Sequence, residues 1–95
     1  MASIKISGEQ DFQKRLRGVL AKGLETAGIK ATIHLESIPH TKLTRVQVVS
    51  ALFKQLRHSE RQDLVWRIIN QHFTPEQQLR ISTVMTVAPR ELSAA

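Results

Sequence analysis

Ser50–Phe73, SALFKQLRHSERQDLVWRIINQHF, holds most of the large apolar side chains of this 95-residue chain in helical spacing, and the flanking segments have to cover it. With Leu64 at zero and a step of about one hundred degrees per residue, Ile68, His72, Val65, Ile69, Phe73 and Trp66 fall around one broad face. Glu60, Asp63, Arg67, Asn70 and Gln71 fall on the other. A face this wide suits a helix lying flat on a sheet better than a coiled-coil seam. Ser59 and Gln62 have capping-box spacing, which predicts that the long helix starts at Ser59. Ala51, Leu52, Phe53 and Leu56 form a shorter helical piece before it, so two helices are expected, joined near Arg57 and His58.

Upstream, Ser7 and Gln10 form a second capping box, and Phe12, Leu16, Val19, Leu20 and Leu24 follow the spacing of an amphipathic helix from about Gly8 to Leu24. Lys14, Arg15, Arg17 and Lys22 fall away from its apolar face and read as a solvated basic surface. Ala27-Gly28 is a suitable stop. Ala31 to Glu36 alternates with Ala31, Ile33 and Leu35 on one side, and Arg45 to Val48 alternates again, which predicts an antiparallel hairpin.

Downstream, Thr74-Pro75-Glu76 caps a short turn. Leu79, Ile81, Thr83, Met85 and Val87 then alternate as a third strand, although Val84 contradicts that pattern. Pro89 ends it, and Arg90-Glu91-Leu92 forms a last turn before a loose tail at residues 93–95. The expected fold class is α+β, ordered α-β-β-α-α-β in one domain over residues 1–95. The third strand, reached through the helices, lies parallel to the second, giving a mixed three-stranded sheet with helices on one face.

A domain of this length buries roughly 60–65% of its unfolded surface and needs no staple. The chain has no cysteine, which removes disulfides, thiolate ligands and cysteine nucleophiles. No apolar run approaches the roughly 20 residues of a membrane span, and MASIKIS lacks the apolar core of a signal peptide, so a cytoplasmic protein is expected. The net charge of +6 favours polyanions as partners.

The element order is that of a type II KH domain, and several motifs resemble the BolA family. Glu36-Ser37, Val48-Val49-Ser50, Phe53, Leu56, Arg61, Leu64 and Val65 fall at matching positions, Trp66 stands where an aromatic is usual, and Ala88-Pro89-Arg90-Glu91-Leu92 resembles the closing T-P-E-E-L. The likeness spans roughly residues 10–92. Two departures bear on function: Gln62 replaces the family's histidine in its R-H pair, and Gln55 replaces a helix-junction glycine. The resemblance implies an adaptor for a monothiol glutaredoxin, sharing an iron–sulfur cluster held by that histidine and a ligand from the loop after the first strand. Glutamine is a poor substitute for imidazole on cluster iron. His40 in that loop and His58, one turn before Gln62, are the residues left for a displaced metal site; Gln62 and Trp66 would complete the partner surface.

His34, His40, His58 and His72 have no close ligand spacing, so no metal is expected. His72 reads as a packed or capping residue at the negative end of its helix. Neither a nucleophile elbow nor a phosphate-binding glycine loop is present, and no catalysis is expected. The glycine clamp of KH domains is also missing from Gln55-Leu56-Arg57-His58. What remains is Lys54, Arg57 and Arg61 near the amino end of the long helix, with Lys14 and Arg17 as further phosphate contacts. Arg61 reads equally as a structural partner of Glu36 or Asp63. The leading expectation is a nucleic-acid-binding regulator without a cofactor; the glutaredoxin adaptor is second, and homodimerisation through an open sheet edge third.

Overall fold

Leu16, Leu20 and Leu24 of the first helix have no exposed surface, and with Phe12 they lay a continuous apolar stripe over the sheet. Each leucine of this kind contributes about 1.5–3 kcal/mol of burial. The computed structural model describes residues 8–93, with side chains from 11 to 92. The capping box of Ser7 and Gln10, the MASIKIS segment and the end of the tail lie outside the described residues; Ser93 closes the last helix.

The elements are α1 (Gly8–Thr26), β1 (Thr32–Ser37), β2 (Thr44–Val49), a 3-10 turn (Ala51–Gln55), α2 (His58–His72), α3 (Pro75–Gln78), β3 (Ile81–Val87) and α4 (Pro89–Ser93). The strands are ordered β1-β2-β3, the first pair antiparallel and the second parallel, as the crossover requires. The protein is therefore α+β with a mixed three-stranded sheet in the expected order. Among the described residues no helix is long and apolar enough to cross a membrane.

Local chemistry sets most boundaries. At the end of α1, Gly28 takes a positive φ of 81°, its N–H donates to Glu25 and the Ile29 N–H donates to Leu24. This is a Schellman stop, with Ile29 buried beside Leu24. Thr74 caps α3, its hydroxyl accepting from Gln77 N–H while the Gln77 side chain accepts from Thr74 N–H.

Two expectations are corrected. The long helix begins at His58, not Ser59, and its reach-back acceptor is Glu60, whose carboxylate takes the Arg57 N–H at 2.8 Å. Gln62 is drawn away to β3, so it cannot serve Ser59. The face of β3 also differs. Thr44 pairs with Ile81 but Arg45 pairs with Thr83, which makes Ser82 the extra residue of a β-bulge. Ile81 thus faces the helices, and beyond the bulge Val84 and Thr86 do so, while Met85 is 43% exposed. One inserted residue explains why Val84 breaks the simple alternation.

The face away from the helices carries three cross-strand rows, Thr32–Val49–Val87, His34–Gln47–Met85 and Glu36–Arg45–Thr83. The last contains an ion pair of 2.6 Å between Arg45 and Glu36.

Helices α1 and α2 run antiparallel, with Phe12 against Phe73 at one end and Gly23 against Ile68 further along. A Cβ at Gly23 would stand 2.8 Å from Ile68 Cγ2, whereas one at Gly18 would meet nothing within 4 Å. Gly23→Ala is expected to destabilise the fold by about 1–3 kcal/mol through overpacking. Gly18→Ala should be neutral or stabilising by up to about 1 kcal/mol. Urea unfolding of the two variants checks the contrast.

Candidate nucleic-acid interface

Arg61 lies in the first turns of α2, pointing at the sheet and only 6% exposed. Its Nε donates to the Leu56 carbonyl at 3.2 Å, and Nη1 donates to the Thr86 carbonyl at 3.2 Å. Glu91 of α4 completes the set as a bidentate partner, at 2.9 Å to Nη1 and 3.0 Å to Nη2. The guanidinium also sits 5.7 Å from the centroid of the Phe53 ring. Arg61 is therefore a structural residue, and the phosphate contact expected of it is corrected. Its partner is Glu91, and neither Glu36 nor Asp63 pairs with it.

The pair shifts Glu91 strongly. The Arg61 hydrogen bond, reinforced by the Ala88 N–H and by the nearby charges of Arg61 and His58, holds its carboxyl well below the ordinary 4.5, at about 2. Glu91 thereby ties α4 both to α2 and, through Ala88 N–H at 3.0 Å, to its own first turn.

Gln62, one residue on, donates its amide to the Val84 carbonyl at 2.9 Å and to the Thr86 hydroxyl at 3.1 Å. The Val87 carbonyl accepts from Ser50 at the end of β2, so by strand alternation the Val84 and Thr86 carbonyls point away from β2. Arg61 and Gln62 thus cap the outer edge of the sheet. At the opposite edge, the Arg17 guanidinium donates to the Ile33 carbonyl of β1. Arg17 is nevertheless exposed, as expected of the solvated basic face of α1, and differs in this from the buried Arg61.

Arg15 and Arg80 are likewise engaged. Arg15 donates to the His72 carbonyl at 2.8 Å and lies 4.6 Å over the Phe73 ring; Arg80 lies 4.6 Å over Phe12. All three phenylalanines of the chain carry a guanidinium over the ring.

No family model matches this chain, and no curated protein matches it. The site rests on its geometry.

Around the fixed Arg61, the cations that stay outward are Lys54, Arg57 and Arg90, all exposed. Lys54 and Arg90 share the walls of a recess of about 320 Å³ with Ala51, Ala88 and Pro89. Arg57, three residues after Lys54, is the cap residue of α2 and does not line the recess. Arg90 was not among the expected phosphate contacts; the A-P-R-E-L turn that returns the chain to the helix junction is the signal that places it there. Lys14 is exposed on α1, away from this cluster. Trp66 is half-buried on α2 and forms a shallow wall with Asp63 and Arg67, more than two turns from Arg57.

His40 and His58 are not brought together. His40 sits at the tip of the β1–β2 loop with φ 65°, before the start of β2, whereas His58 lies near Glu91, beyond the end of the parallel strand β3. Strands of this length separate the two ends by about 20 Å. The two histidines thus stand at opposite ends of the sheet and do not share one site, and the Gln62 amide faces β3. Among the described residues no group of three or more metal-ligating side chains converges. His72 is exposed at the last position of α2 and is not packed in the apolar stripe.

Replacing Arg61 with methionine should lower unfolding free energy by about 2–3 kcal/mol, because the Leu56 and Thr86 carbonyls lose a charged donor. Chemical denaturation measures it. Glu91 adds a pH signature with a defined sign. A carboxyl depressed to about 2 in the fold contributes stability that is complete above its ordinary 4.5 and is lost as pH falls towards 2. Acid titration of stability should show this component in the parent protein and not in Glu91→Gln.

Proposed function

We propose that the protein is a non-catalytic, regulatory nucleic-acid-binding module that grips the phosphate backbone with Lys54, Arg57 and Arg90. The observation that carries this reading is the convergence of three exposed cations at the amino end of α2, two of them lining one recess. Helix amides and the dipole at that end add to the attraction for phosphate. Arg61 and Glu91 neutralise each other behind the recess and hold α4 against the helix junction. The outward charges are therefore presented on a fixed frame, which lowers the ordering cost of binding.

The resemblance to BolA-like proteins belongs to the same proposal. It is supported by the α-β-β-α-α-β order and by the matching Arg61 and A-P-R-E-L positions, which meet in space. The half-buried Trp66 and the buried phenylalanines leave few rings for base stacking, so the binding should be governed by phosphate and weakly dependent on sequence.

Anisotropy titration of labelled single-stranded oligonucleotides at several salt concentrations tests it. The parent protein should bind with a steep salt dependence. Charge reversal of Lys54, Arg57 and Arg90 together should abolish binding at physiological salt and reduce the log–log salt slope by about 2, at about 0.7 per lost contact. Affinity that is unchanged in a folded triple variant would sink the proposal.

A further inference from the structure

We infer that the groove between α1 and α2 is a docking site for an acidic amphipathic helix of a partner protein. The recess measures about 570 Å³, and Gly18, Val19, Gly23 and Ile68 give it an apolar floor. That volume lies within the range of pockets that seat ligands and anchoring side chains.

Gly18 is the first reason to read the groove as a site. A glycine inside a helix weakens it relative to alanine, through backbone entropy. At Gly23 the close approach of Ile68 demands it. At Gly18 nothing lies within 4 Å of a Cβ, and its φ is not among the positive ones, so neither packing nor backbone geometry requires it. The effect of the missing side chain is to leave the groove open.

Charge selects the occupant. Arg15 and Lys22 both line the groove, and no aspartate or glutamate does. Seven residues apart on one helix, the two cations are separated by about 10.5 Å along the axis. Arg15 is held in place by the His72 carbonyl and the Phe73 ring, which makes it a preorganised anchor. One anionic headgroup does not reach both positions. A helix with acidic residues at i and i+7 and large apolar residues between them meets both cations and fills the floor, packing as a third helix in the groove of an antiparallel pair. This surface is at the carboxyl end of α2, a helix of about 22 Å, and is separate from the cations at its start.

The test titrates the isotope-labelled protein with a synthetic helical peptide bearing leucines at i+3 and i+4 between glutamates at i and i+7, alongside a twin with lysines for glutamates. Saturable amide shifts centred on Gly18, Lys22 and Ile68 are expected with the glutamate peptide only. Gly18→Leu and Lys22→Glu should each weaken binding at least tenfold. Gly18→Leu should keep or raise the melting temperature, so that lost binding is not lost folding. The inference is overturned if the glutamate peptide gives no saturable shift, if the shifts map to Lys54, Arg57 and Arg90, or if the lysine twin binds equally. Saturable shifts with decanoate and none with either peptide would overturn it in favour of a small amphiphile.

Discussion

A guanidinium in a protein interior is tolerable only if nearly every N–H finds an acceptor, because the charge has lost its water. Arg61 meets that condition with acceptors from three separate parts of the chain: the end of the 3-10 turn, the edge of β3 and the carboxylate of α4. None of these acceptors lies in its own helix. The consequence is that the start of α2, the last strand and the final turn are fixed relative to one another by a single side chain. Gln62 then follows from the position of Arg61, since the next residue on the helix is brought to the next free carbonyl along the same edge. On the far side Arg17 engages one carbonyl of β1, so side chains occupy acceptors at both margins of the sheet.

Arginine is used here chiefly to make contacts within the fold. Of the eight arginines, Arg15, Arg17, Arg45, Arg61 and Arg80 are each tied to a carbonyl, a carboxylate or an aromatic face. The planar guanidinium can lie over a phenyl ring and donate at its rim simultaneously, which the ammonium of lysine cannot do. Net charge therefore overstates the surface free to grip a polyanion. The lysines and Arg57, Arg67 and Arg90 carry what remains, and at the helix junction Lys54 and Arg90 share one recess with Arg57 three residues after Lys54.

Patterns confined to a few neighbouring residues were legible in the sequence. The apolar face of α2 apart from His72, the alternation of β1, the Gly28 stop and the Thr74-Pro75 cap each depend on periodicity or on a local backbone requirement, and each lies where the spacing puts it. What was not legible depends on pairing across the chain. Ser59 and Gln62 had the right types and spacing for a capping box, but β3 offered Gln62 a better use. The β3 alternation was broken by a bulge whose only local sign was the misplaced Val84. Arg61 could be recognised as either structural or functional, and the choice rested on Glu91, thirty residues away. The same separation hid Arg90, whose neighbour in the sequence is the residue that Arg61 holds.

The two ends of α2 are specialised differently because different constraints act on them. At its start the backbone amides are positive, the pairing of buried Arg61 with the exposed Glu91 fixes the local geometry, and cations that remain outward are held on a rigid frame. At its end Ile68 presses on Gly23 and Phe73 on Phe12, so α1 is held at close range, yet the helix surface beside that contact is left open by Gly18. Close approach and an open groove are compatible only because the two glycines occupy different positions on the α1 surface, one beneath Ile68 and one beyond it. A side chain at the first would push the helices apart, and one at the second would fill the groove without moving them. The spacing of α1 and α2 and the space between them are thus set by separate residues.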